Sequence, residues 1–204
     1  MKRDPRLIAI AGAILASLLA LPAAADEKES GLYLNFDIGP SWAEDVHIDV
    51  AGISGNADLD VGLRMAVMLG YNFNRYVGLE FDTGFIYNEF DQSNSSLSHV
   101  PLMANGMFRY PTDIGLEPYL GAGVGGSVNV LYIDGNGNND SDADFNFAWQ
   151  AMAGLRYRFR NHMAVGIGYK YFGTLDSNYD IEGVNVDVGT SNNHMLALSF
   201  NAQF

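Results

Sequence analysis

From Leu32 to Phe204 the chain alternates apolar and polar positions with a period of two, in eight blocks. They are Leu32–Gly39, Val61–Tyr71, Val77–Asn88, Val100–Tyr110, Pro118–Tyr132, Asn146–Phe159, Ala164–Phe172 and His194–Phe204. A two-residue period puts successive side chains on opposite faces of an extended chain, so the pattern predicts eight strands. One parity is apolar: Val61, Leu63, Met65, Val67, Leu69 and Tyr71 in the second block, and Phe147, Trp149, Ala151, Ala153, Leu155, Tyr157 and Phe159 in the sixth. The other parity carries Asp37, Arg64, Glu80, Asp82, Asn105, Arg109, Gln150, Arg156, Arg158 and Lys170.

The connections alternate in length. Pro40–Asp60, Glu89–His99, Ile133–Phe145 and Gly173–Asn193 are long, and Asn72–Tyr76, Pro111–Glu117 and Arg160–Met163 are short. Long and short connections in turn, between strands near 9–11 residues, predict an up-and-down barrel that spans a membrane. An even strand number returns both termini to the side of the short turns.

Alternation by itself fits a soluble barrel equally well, with the apolar parity turned inward. Glycine separates the two. Gly39, Gly62, Gly70, Gly78, Gly84, Gly121, Gly123, Gly125, Gly154, Gly166 and Gly168 all share the polar parity. Glycine weakens a solvated strand face, whereas a crowded lumen needs small residues beside a few long ones. The polar, glycine-rich face therefore points inward and the apolar face meets lipid. Aromatic residues gather at both strand ends: Tyr71, Phe73, Tyr76, Phe108, Tyr110, Tyr157, Phe159 and Phe204 at the turn side, and Trp42, Tyr87, Phe90, Tyr132, Phe147, Trp149 and Tyr171 at the loop side. Two such belts mark the two membrane interfaces.

Three stretches, EPYLGAGVG (Glu117–Gly125), FAWQAMAGLRYRF (Phe147–Phe159) and the terminal LALSFNAQF, resemble the eight-stranded outer-membrane β-barrel family. That family includes the barrel of outer membrane protein A and the opacity-type surface proteins. The resemblance covers 26–204 and implies an all-β, eight-stranded antiparallel up-and-down transmembrane β-barrel in the cell outer membrane of a Gram-negative bacterium, among lipid and lipopolysaccharide. It also implies that the last strand is read by the barrel-assembly machinery, through Phe204, Phe200, Leu198 and Leu196; Ala202 stands where an aromatic residue is common. The periplasmic, peptidoglycan-binding module of outer membrane protein A has no counterpart, so its tethering role is not carried over.

The N-terminus adds a compartment. Lys2, Arg3 and Arg6 precede an apolar run of 15 residues, Leu7–Leu21, that is short for a bilayer span and exits through Pro22-Ala23-Ala24-Ala25. This pattern predicts a secretory signal peptide over 1–25, cut after Ala25, and a barrel domain over 26–204. The chain has no cysteine, which excludes disulfides, thiolate metal sites and a lipoprotein anchor.

An eight-stranded barrel is just wide enough inside for side chains to fill it. Asp37, Arg64, Glu80, Asp82, Arg109, Arg156, Arg158 and Lys170 are accordingly expected to form a buried ion-pair network that plugs the lumen, with Asp37 beside Arg64 and Glu80 or Asp82 beside Arg109. The rival reading of the same residues is a gated ion path. The four long connections hold fifteen Asp or Glu and no Lys or Arg. Such loops form a solvated acidic surface, or bind a divalent cation or a basic extracellular partner. In DGNGNNDSDAD the carboxylates Asp134, Asp140, Asp142 and Asp144 are weak calcium candidates; Asn139 stands where a calcium-binding hand needs glycine, and no Glu closes the loop.

No catalytic constellation is expected. Ser199 lies five residues from His194 and therefore on the opposite face. Ser96, Ser98 and His99 lack an evident orienting acid, and no zinc spacing or phosphate loop occurs. The net charge of −13 disfavours nucleic acid, and no cofactor is implied. The expected role is structural or surface-mediated, in envelope integrity or adhesion. The alternatives are a narrow, porin-like transport barrel for small solutes and a lipid-modifying enzyme, for which His99, His194 and a loop acid are the available groups.

Overall fold

The computed structural model describes residues 30–44, 46–50, 53–57, 60–90, 95–135, 138–160, 162–181 and 184–204. The expected signal peptide and its cleavage site lie outside them. Among the described residues twelve strands follow in chain order: β1 Gly31–Ala43, β2 Val46–Val50, β3 Ile53–Ala57, β4 Gly62–Asn72, β5 Val77–Glu89, β6 Ser96–Arg109, β7 Leu116–Gly135, β8 Asn138–Arg160, β9 Met163–Thr174, β10 Ser177–Ile181, β11 Val184–Val188 and β12 Ser191–Gln203. Eight of them close a barrel in the order β1-β12-β9-β8-β7-β6-β5-β4, every pair antiparallel. Closure of β12 onto β1 pairs Tyr33 with Gln203 and Phe36 with Phe200, so no barrel strand keeps an unpaired edge.

Exposure follows parity. Phe81 is 58% exposed and Leu198 64%, whereas Arg64 and Asp82 on the opposite faces are 1% and 2% exposed. A molecule with its charges enclosed and its leucines outside is stable only where the outer medium is apolar, so the barrel wall is a lipid-facing surface. All eleven glycines of the polar parity fall on the inner face; some of them make room there for a large side chain, as Gly70 does for Tyr33, while Gly39, Gly84 and Gly125 lie against neighbouring backbone. Tyr119 shows how such room is used. Gly154 and Gly168 are register partners, and the Tyr119 ring lies over both. A Cβ at Gly154 would stand 2.5 Å from the Tyr119 hydroxyl, and one at Gly168 would overlap it. Gly168→Leu is therefore expected to lower stability by about 1–3 kcal/mol through overpacking, read as an earlier midpoint in urea unfolding.

The barrel ladder is irregular at three places: a bulge between Arg158 and Arg160 on β8, opposite Met163 and Ala164, and two gaps that each have a proline beside them. Between β1 and β12 the pairing skips from Ile38–Leu198 to Ser41–Met195 across Pro40, and between β5 and β6 it skips from Thr83–Leu102 to Ile86–His99 across Pro101. A proline has no N–H to donate, so the ladder lapses on one side while the other neighbour still pairs it, Leu63 for Pro40 and Ser127 for Pro101. For this reason β1 continues past Gly39, where the sequence pattern had ended it. In the short connection after β4, Asn74 Oδ1 accepts from the Tyr76 and Val77 amides at 2.8 and 2.9 Å. In the turn before β7, Gly115 adopts φ +81°, a conformation that disfavours other residues.

The long connections are not simple loops. Residues of Pro40–Asp60 and Gly173–Asn193 form a second, four-stranded antiparallel sheet in the order β10-β11-β2-β3. The signal was present: Val46, Ile48 and Val50, and Val184, Val186 and Val188, alternate like any strand. Likewise Ile133–Phe145 is mostly the extension of β7 and β8 into one long hairpin, with Asp134 opposite Asn139 and Asp142 opposite Leu131. In the described part of that stretch, an oxygen-bearing residue at every second position also follows from strand alternation. Phe90, expected in the outer aromatic belt, is instead buried.

Candidate functional site

The inward charges gather around Asp82, whose side chain is fully enclosed. Both its oxygens accept from Arg64 Nη2, at 3.0 and 2.9 Å, and Oδ2 also accepts from Lys170 Nζ at 2.6 Å and Gln150 Nε2 at 3.1 Å. Arg64 Nη1 reaches Asp37 at 3.4 Å, Asn35 donates to the other Asp37 oxygen at 2.9 Å, and Lys170 stands 3.9 Å from Asp37. Gln150 donates further to Asn105 at 2.6 Å. The geometry follows from strand order. β5 and β9 are four places apart in a ring of eight, so the Lys170–Asp82 contact crosses the full diameter of the barrel. Gly123 on β7 leaves the space that the Asn105 amide occupies.

A second group lies toward the turn side. Tyr33 donates to Glu80 at 3.0 Å, the Arg156 guanidinium sits 4.4 Å from the centre of the Tyr119 ring, and Glu117 receives Arg158 at 2.9 Å and Arg156 at 3.8 Å. The expected partnership of Arg109 with Glu80 or Asp82 is not formed. Arg109 is the last residue of β6, three residues beyond the Glu80–Asn105 pair's next neighbour, and its Nη2 donates to the Asn74 carbonyl at 2.9 Å. Arg158 is only partly inside, with 41% of its side chain exposed. Glu117 was missed because the strand pattern began at Pro118; β7 starts at Leu116, which gives Glu117 the inward parity of Tyr119. Tyr33 was missed because a buried tyrosine reads as apolar until its hydroxyl finds a carboxylate.

Nearer the mouth, His99 Nδ1 meets Asn129 Oδ1 at 2.8 Å and His99 Nε2 meets Ser191 Oγ at 3.4 Å, with the Phe172 ring 5.9 Å away. β6 and β12 also face each other across the ring, so this array too bridges the lumen. It has the residue types of an acyl-transfer relay, but all three are enclosed, which leaves no approach for a substrate carbonyl.

On the outer wall at the loop end, Glu44 accepts from Asn192 Nδ2 at 2.9 Å, meets His194 Nε2 at 3.0 Å and lies 3.4 Å from the Tyr171 hydroxyl. Tyr169 meets His194 Nδ1 at 2.6 Å. The Asn192 amide and the His194 ring hold the Glu44 carboxyl below the usual carboxylate range. Its folded value being the lower one, the contribution of this cluster is present above the ordinary carboxylate range and is lost as pH falls through the lowered value.

Of the proposed calcium ligands, Asp142 and Asp144 each accept from the next backbone amide, Ala143 at 2.9 Å and Phe145 at 2.8 Å, and Asp144 also accepts from Asn146. The side chains of Asp134 and Asp140 lie outside the described residues, and among those described no three His, Cys, Asp or Glu are placed to share a metal. Phe204, Leu198 and Leu196 are exposed on the outer face, Phe200 less so, and the Phe204 amide donates to Leu32 at 2.8 Å.

A family model for the outer membrane protein beta-barrel domain matches residues 11–204. Among solved structures, Neisserial surface protein A is 18% identical with a TM-score of 0.58, over 86% of this chain and 99% of that one. The outer membrane protein AlkL in DMPC lipid bilayers is 20% identical with a TM-score of 0.55, over 90% and 95%. The outer membrane protease OmpT from Escherichia coli is 6% identical with a TM-score of 0.52, over 85% and 97%. No curated protein sequence matches the chain. These structural likenesses concern the fold alone, which a surface protein and a protease share.

Proposed function

This chain belongs to the outer membrane protein beta-barrel domain family, and from that premise we propose that it is a surface barrel whose lumen is closed by its own side chains. It acts in envelope integrity or adhesion, through its framework and its acidic loop-side surface, and performs no chemistry. The observation that carries this reading is the Lys170–Asp82 contact of 2.6 Å, which joins opposite walls and is extended by Arg64, Asp37, Asn35, Gln150 and Asn105. The acidic, extended hairpin of β7 and β8 supports a role for the surface beyond the barrel. The same reading has the chain exported by residues 1–25, cut after Ala25, and inserted by an assembly machinery that recognises Phe204, Phe200, Leu198 and Leu196.

Planar-bilayer recording of the purified barrel tests it. Traces no different from the empty membrane are expected; a stable open level would transfer the lumen charges to the narrow transport reading. Lipid A mass spectra of cells with and without the protein should coincide, and a changed acyl or headgroup pattern would instead assign an enzyme.

A further inference from the structure

The outer wall at the loop end carries a patch that the lumen-based reading leaves unused. Its aromatic members come from neighbouring strands and share the outward parity. The Trp149 indole nitrogen lies over Gly173, where a Cβ would stand 2.8 Å from it. Trp149 is tilted against Tyr171 with ring centres 5.2 Å apart, Tyr171 meets the edge of His194 at 4.9 Å, and Tyr169 stands 6.1 Å from His194. Trp42 is the register partner of His194 on β1. Glu44 closes the top of this wall, held by Asn192, His194 and Tyr171, and 45% of its side chain is still exposed. The four long connections around it contain no Lys or Arg that could neutralise it.

An anchored carboxylate above exposed π faces attracts a cation that is itself weakly hydrated. Both features lie at the level of an interfacial aromatic belt, where the polar heads of lipids sit. We propose that Glu44, Trp149, Tyr171 and His194 form a binding site for the ammonium headgroup of a membrane amphiphile. Glu44 is the counter-ion, and the rings enclose the methyl or methylene groups around the nitrogen. Phosphate is not the recognised group here: the long connections hold no Lys or Arg, and the Nε2–H of His194 is already donated to Glu44 at 3.0 Å.

The test uses the barrel in non-ionic maltoside micelles, titrated in parallel with dihexanoyl phosphatidylcholine, phosphatidylethanolamine and phosphatidylglycerol, while NMR follows the Trp149 indole and the His194 ring. Saturable shifts at both residues are expected with the two ammonium lipids and not with phosphatidylglycerol. E44Q, checked for folding by heat-modifiable gel mobility, should weaken the binding about tenfold. Tetramethylammonium chloride should displace phosphatidylcholine from the wild-type protein better than sodium chloride at equal ionic strength. Equal saturation by phosphatidylglycerol, unchanged affinity in E44Q, equal displacement by the two salts, or the same shifts at Tyr76 and Phe108 of the opposite belt would each overturn the assignment and leave an ordinary interfacial belt.

Discussion

Asp82→Ala should lower the unfolding free energy of the barrel by about 3–5 kcal/mol, the largest effect expected of any single lumen substitution. Asp82 receives Arg64, Lys170 and Gln150 at once, so its removal leaves two enclosed cations with only Asp37 between them, at 3.4 and 3.9 Å. The cost comes from stranding charge, not from losing one attractive pair. It follows that Asp37→Asn, Arg64→Met, Asp82→Leu and Lys170→Met combined should recover most of the loss, since Asp37 would otherwise be stranded without either cation, and this filling of similar volume has no unpaired charge to penalise it. Urea unfolding in micelles, followed by tryptophan fluorescence, measures both variants. A single substitution costing under about 1 kcal/mol would mean that the lumen is wet enough to solvate the cations, and the closed-lumen reading would fail with it.

Phe81→Arg is the second large effect. Phe81 is 58% exposed and lies between the turn-side belt of Tyr76 and Phe108 and the outer pair Phe85 and Tyr87. A cation there meets hydrocarbon, at an expected cost of about 2–4 kcal/mol near the midplane. The same substitution on a soluble protein of this exposure would cost almost nothing, so the size of the effect reports the medium. A nitroxide at position 81 should accordingly collide with oxygen dissolved in lipid, and one at position 69 likewise. Water contact at both positions would reverse the barrel's faces.

Much of this was legible in the chain. Alternation located all eight barrel strands, and the glycines of the polar parity located the lumen, because both are properties of residues within one strand. Errors fell where a local window is ambiguous. Glu117 lay one residue before the assumed start of its strand, and the short strands Val46–Val50 and Val184–Val188 were hidden within connections read only by length. Arg109 was given a partner from its place on a neighbouring strand, but its guanidinium ends at the level of the turn, beside Asn74.

The residue sequence determined by itself that this is an eight-stranded barrel with charge inside and hydrocarbon-compatible side chains outside, since a period of two assigns each residue to a face wherever the strand lies. Which enclosed charges meet, and that Lys170 reaches Asp82 while His99 reaches Ser191, was decided only in the closed barrel. Strands tilt and close into a ring, so residues far apart along the chain arrive at one height on opposite walls, and neither tilt nor closure is contained in any one strand.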